Sequence, residues 1–334
     1  MKRLLGFCLA SAALSFGQQW PEVPNYEEMK IPADNPMTVA KVELGKQLYY
    51  DKRLSGDGTH ACYSCHLKEK GLTLGVATGQ GPYGAKLTRS APTMWNVGYL
   101  PAIYWDGRAP SLERQVVGAW TGANMGVSGK DGRPSTEDIA KKLNAIPGYR
   151  QQFQSVFGGP ATTDNIAKAL AAFMRTIVAT KERSAWMRFM TGDKKALSAQ
   201  AQRGYKVFHE KAKCDNCHDG KLLFDMQFHN VGVGMDAPAP DLGRFVVTKD
   251  EKDRGAFKTP TLLDISKSAP YFHNGSVATL EEAVDFMANG GKDNPHLDKT
   301  NLKPVKLSAK EKADLIAFLK SLDVTYDIAE PKLP

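Results

Sequence analysis

The sequence predicts an all-α protein built from two similar units joined by long irregular loops. Three observations carry this. The pentapeptide Cys62-Tyr63-Ser64-Cys65-His66 has a partner, Cys214-Asp215-Asn216-Cys217-His218, about 150 residues further on. Apolar residues around both pentapeptides recur at the three-to-four spacing of a helix. The length, 334 residues, suits two domains of ordinary size rather than one small one.

The elements follow in chain order. Lys2 and Arg3 precede an apolar run from Leu4 to Phe16, with small residues at Ser15 and Gly17, which reads as a cleaved secretory leader over residues 1–17. The run is too short to span a bilayer, and no later stretch is apolar enough to do so. Val42, Gly45 and Tyr49 share a helix face before the first pentapeptide. Residues 71–93 are rich in glycine and show no period, so they form a long loop. Ile166, Leu170, Phe173 and Ile177 form the stripe of a helix that closes the first unit. Residues 182–196 lead out of that helix, and the boundary falls near Gly192, giving units 18–192 and 193–334.

The second unit repeats the order. Ser198 caps a helix with Ala201, Gly204/Tyr205 and Phe208 on one face, and Gly204 permits close approach of another helix. A second irregular loop covers residues 229–245. Ser308 and Glu311 form a capping box ahead of a stripe of Leu315, Phe318/Leu319 and Leu322.

Cysteine usage is selective. Of 5 cysteines, Cys8 lies in the leader and the other four fill the two pentapeptides. Disulfides or a zinc site would also use C-x-x-C pairs. Neither explains a histidine directly after each second cysteine. C-x-x-C-H is the attachment signature of a c-type haem: two thioether links and one iron ligand. Two haems c are therefore expected, on Cys62, Cys65 and His66, and on Cys214, Cys217 and His218. The formal charge of +8 is spread along the chain rather than gathered in a basic stripe, which excludes a nucleic-acid signature and hints weakly at an acidic partner.

The far side of each iron decides the chemistry. A second protein ligand makes an electron carrier, and an open position makes a reactive centre. None of the 7 histidines lies between His66 and His209, so the loop after the first motif offers none. Methionines from Met94 to Met287 are available, and spacing alone does not choose among them.

The chain resembles the bacterial dihaem cytochrome c peroxidase family. The likeness runs through "LGKQLYYDKRLS", "SAPTMWNVGY", "YWDGRAPSLERQ", "ALAAFMRTIVAT", "FHNVGVG", "FKTPTLLDISKSAPYFHNGSVATLEEAV" and "DLIAFLKSL". It implies two cytochrome c-like domains. The C-terminal haem takes electrons from a small cytochrome c or cupredoxin, and the N-terminal haem reduces hydrogen peroxide to water in the periplasm. A homodimer is left open. By position the resemblance makes Met287 the second ligand of the C-terminal iron, and Met/His ligation raises a haem potential. A relative that matures a tryptophan-derived quinone has a tyrosine there, so Met287 favours the peroxidase branch. Trp105 matches a tryptophan between the haems that aids electron transfer. Gln115 matches a polar residue of the distal pocket.

The resemblance also implies interdomain calcium at Ser90, Ser268 and Pro270, although Ser90 replaces an asparagine ligand. Two further departures concern the first iron. A loop histidine that blocks it in many relatives is missing from "GQGPYGAK", where Tyr83 is nearby, so the sixth position is expected to stay open or hold water. The distal glutamate is replaced by Asn124, and Gly118-Ala119 stands where a proline is common. Asparagine orients peroxide by hydrogen bonds but carries no proton, a loss worth about 10²–10⁴ in rate. The rival readings are an oxidase of a partner protein's side chains and a non-enzymatic dihaem carrier or sensor.

Overall fold

Two helix pairs organise the chain. The structure, a computed structural model, describes residues 29–334, so the leader expected at 1–17 lies outside the described residues. In the first half α1 (Val39–Tyr50) packs on α5 (Thr163–Met174), with α2 (Leu112–Thr121), α3 (Thr136–Ala145) and α4 (Pro147–Phe157) around them. In the second half α7 (Ala199–Lys206), extended by a wider turn over Val207–Lys211, packs on α10 (Ala309–Lys320). α6 (Ala185–Met190) follows the first pair in the chain and packs on the second, and α8 (Phe245–Thr248) and α9 (Leu280–Ala288) complete the second half.

The pairs are close because glycine faces backbone in each. A Cβ on Gly45 would collide with the Ala169 carbonyl, and one on Gly204 with the Asp314 carbonyl. Val42 and Tyr49 are buried with Gly45 on α1, and Phe208, Leu315, Phe318 and Leu322 are buried in the second half. The expected caps are present: Ser198 accepts from the Ala201 N–H, and Ser308 and Glu311 form the capping box of α10.

The fold is helix-rich rather than purely helical. β1 (Phe228–His229) pairs antiparallel with β2 (Phe257–Lys258), setting Phe228 opposite Lys258. These residues lie in connections without helical period, where backbone groups still need partners. Residues 182–196 are also not a plain connector. They carry α6, whose Trp186 is buried edge-on to Phe318 and Tyr205. After α10 the chain returns to the first half. The Tyr326 and Tyr50 hydroxyls lie 3.0 Å apart, and Arg53 donates to the Pro334 carbonyl.

The halves repeat one another in detail, and from Thr93 to Ala119 each residue stands at one constant spacing from its counterpart. Thr93 Oγ1 donates to the Gly71 carbonyl at 2.7 Å, and Thr261 Oγ1 to the Leu222 carbonyl at 2.8 Å. Asn96 and Asp264 both have left-handed φ, 58° and 57°. The Asn96 side chain accepts from the Ala179 N–H and the Asp264 side chain from the Val324 N–H. The bridge Ile103↔Ala109 is matched by Tyr271↔Val277. Then α2, capped by Ser111, corresponds to α9, capped by Thr279. Counting from the caps, Leu112 and Val116 match Leu280 and Val284, all buried, and Ala119 falls where α9 carries Met287.

Candidate functional site

Each pentapeptide folds as one turn of 3₁₀-helix, Cys62–Ser64 and Cys214–Asn216. Residues i and i+3 eclipse in such a turn, so both sulfurs of C-x-x-C come to one side. Among the described residues the four cysteines pair with no other cysteine. Burial pushes the Cys62 and Cys214 thiols up to about 12, keeping the sulfurs neutral.

The two histidines are set identically. His66 Nδ1 lies 2.9 Å from the Leu72 carbonyl, and His218 Nδ1 lies 3.1 Å from the Leu223 carbonyl. A carbonyl only accepts, so Nδ1 carries the proton and Nε2 keeps the lone pair a metal needs. Burial lowers both pKa values, which holds the rings neutral. Leu72 and Leu223 have φ of 60° and 58°, an uncommon conformation for leucine, repeated at the carbonyl that orients each imidazole. Side-chain type gave no sign of these two positions.

Around the second motif lies a cavity of about 260 Å³, lined by Cys214, Cys217, His218 and Met287. Met287 therefore shares one chamber with His218, on the last turn of α9. Lys258 lines the same chamber. It is buried, and among the described residues its ammonium has no hydrogen-bond or ion-pair partner; burial lowers its pKa to about 8, with Asp225 the one charge opposing that. Asp225 is instead held by His229 Nε2 at 2.7 Å, while Asp298 holds Nδ1 at 2.6 Å. Cys217, Asp225 and His229 also present donor atoms within 4.8 Å of one another, but this trio is already committed to the motif and to that bracket.

Trp105 stands between the halves. Its indole donates to the Ser90 carbonyl at 2.9 Å, its ring meets His273 edge-on at 6.4 Å, and its carbonyl accepts from the Lys258 N–H at 2.8 Å. Trp105, Ser90, Ser268 and Pro270 all reach the wall of the second-half cavity. The Ser90 hydroxyl donates to the Phe272 carbonyl and the Ser268 hydroxyl to the Ile265 carbonyl. Of the oxygens a cation would use at these positions, the Ser90 hydroxyl is already engaged within the protein.

The first half differs at the counterpart of Met287. Ala119 is half-buried on α2 and has no ligand atom. Gln115, one turn earlier on α2, is half-buried. Asn124 is exposed in the turn after α2. Tyr83 is also exposed, at 46%, packed across Gly56 and Gly126 beneath Arg133. Sequence reading missed Tyr104. It is the counterpart of Phe272, which lines the second-half cavity, and its hydroxyl donates to the Gln115 carbonyl at 3.0 Å. The Tyr49 hydroxyl is fully buried beside Cys62 and has no partner among the described residues.

Duplicated helix pairs, each with a C-x-x-C-H turn and an Nδ1-anchored histidine, define a class of two-centre redox scaffold. A family model described as di-haem cytochrome c peroxidase matches residues 39–195. The cytochrome-c peroxidase IdrP1 of Denitromonas iodatirespirans is 38% identical, covering 98% of this chain and 93% of its own. The methylamine utilization protein MauG of Methylorubrum extorquens is 36% identical, over 92% and 85%. The crystal structure of a MauG-like protein associated with microbial copper homeostasis superimposes with a TM-score of 0.78 at 33% identity, covering 94% and 95% of the two chains. The chain belongs to the di-haem cytochrome c peroxidase family.

Proposed function

We propose that the protein is a dihaem c peroxidase that reduces hydrogen peroxide to water at its first half, with electrons entering at its second. The observation that carries this is the unequal pair Met287 and Ala119: equivalent helix positions, one with a thioether and one with a methyl group. The second centre would be closed by a protein ligand and the first left open.

The residues fit two haems. Cys62 and Cys65, and Cys214 and Cys217, would form the thioethers, and His66 and His218 would ligate through Nε2. Haem carries two carboxylates, and among the described residues each half holds a buried polar group without a protein partner: the Lys258 ammonium and the Tyr49 hydroxyl. Such groups are destabilising unless something meets them. Bound there, haem supplies an iron that accepts electrons singly and delivers two to peroxide.

The chain's own part is positioning and proton handling. Trp105 fills the space between the halves and offers an aromatic path from the Met287 chamber. Gln115 and Asn124 would orient peroxide by hydrogen bonds. Neither carries a proton at neutral pH. Tyr104 does have a transferable O–H, on the segment facing α2. Calcium at Ser90, Ser268 and Pro270 has no role in these steps. The donor would be a small redox protein. Among the described residues no helix is long and apolar enough to cross a membrane. Export through the leader would place the protein in the periplasm.

The test mixes fully oxidised and half-reduced protein with peroxide and follows the haem spectra and peroxide loss together. A high-spin first haem and rapid loss with a cytochrome donor are expected. Two low-spin haems and no loss in either state overturn the proposal in favour of an electron carrier.

A further inference from the structure

The aromatic residues beside the first motif form a connected group that the peroxidase reading does not use. Tyr63 sits between the two cysteines of the motif and is half-buried. Its ring packs on Tyr50 with centroids 4.7 Å apart. The Tyr50 hydroxyl meets the Tyr326 hydroxyl at 3.0 Å, and the Tyr326 ring meets Trp95 edge-on at 6.1 Å. Tyr49 packs against Tyr50 at 5.3 Å. Phenols and indoles are the protein side chains that give up single electrons most readily, and here five are in contact.

A phenol loses its electron easily only if its proton can leave too. Glu330, an exposed carboxylate on the returning C-terminal segment, bears on both Tyr63 and Tyr50. Glu69, exposed shortly after the motif, bears on Tyr63 as well. The edge of this group therefore has three things together: a position between the motif cysteines, a hydrogen-bearing oxidisable ring, and an outward-facing base.

We propose that Tyr63 is a second substrate site, at which an uncharged phenol reduces the first-half centre through the Tyr63 ring, without the second half. This rests on the peroxidase reading, which supplies peroxide as the oxidant. In each turn Tyr63 sends one electron to the first-half centre and its proton to Glu330. A bound phenol then gives one hydrogen atom to the Tyr63 oxygen and leaves as a phenoxyl radical. Glu330 passes its proton on toward water formation. Two phenols are oxidised per peroxide, and two waters form. The acidic rim of Glu69 and Glu330 favours neutral phenols over anionic donors. Tyr50, Tyr326 and Trp95 share the oxidised state when no phenol is bound.

The test uses haem-loaded protein, peroxide and 2,6-dimethoxyphenol, with a small cytochrome c as the alternative donor. The variants are Tyr63→Phe, which keeps the ring contact with Tyr50, and Glu330→Gln. In Tyr63→Phe, phenol oxidation falls by about tenfold or more while cytochrome oxidation is unchanged. Freeze-quench electron spin resonance without donor shows a tyrosyl signal in the parent protein whose Tyr63 component the variant loses. Glu330→Gln slows phenol oxidation and alters its pH profile. Phenol oxidation at the parent rate in Tyr63→Phe, or an unaltered radical signal, overturns this site and leaves the peroxidase reading intact. No peroxide loss with either donor overturns both.

Discussion

Substituting Ala119→Met asks whether the open first centre depends on one missing side chain. Ala119 stands at the same distance from its cap, Ser111, as Met287 does from Thr279. Methionine would extend three atoms beyond the alanine methyl, ending in the thioether that Met287 presents in the second half. Ala119 is only half-buried, so the added volume displaces little core and stability should change by about 1 kcal/mol or less. If the thioether holds the iron about 2–3 kcal/mol more tightly than water, about one molecule in 30 to 140 stays open. The rate of reaction with peroxide should fall by that factor. Stopped-flow mixing with peroxide measures it, and the visible spectrum should show the first haem turning low-spin, with a higher potential. An unchanged rate with a still high-spin haem would refute the equivalence of α2 and α9 on which the asymmetry rests.

Other outcomes follow from single contacts. Lys258→Met removes a positive charge from the second-half chamber, so the second haem should become harder to reduce, by about tenfold in its one-electron equilibrium; Lys258→Arg should keep the parent value in a redox titration. Gly204→Ala drives a methyl group into the Asp314 carbonyl and Phe318, and should cost about 1–3 kcal/mol in urea unfolding. Asn124→Glu restores a proton carrier and should speed peroxide turnover by up to about 10²-fold; no gain would direct attention to Tyr104→Phe.

Much of this was legible before any coordinates. The two pentapeptides, the glycines of the paired helices and the α10 capping box rest on local rules of spacing and capping. The equivalence of Ala119 and Met287 was not, for a physical reason. The motif histidines and the helices that follow them are spaced differently in the two halves, because the intervening loops differ in length. A repeat read from the motifs alone puts the helices out of register. The loop histidine's absence was readable, while the exposure of Tyr83 came only with the fold. The exposure of Asn124 was hidden, because a turn after a helix can face either way. Lys258 looked like any lysine in a polar segment until β2 carried it inside.

The returning C-terminal segment changes what counts as a separable piece. Its last ten residues buckle onto the opposite half through Tyr326, Pro334 and the Arg53 guanidinium. A clip at the midpoint would yield a front fragment lacking its own fastener and a rear fragment with a loose tail. Mixing such fragments should rebuild the whole more readily than either stands alone, and trimming the tail should loosen the front.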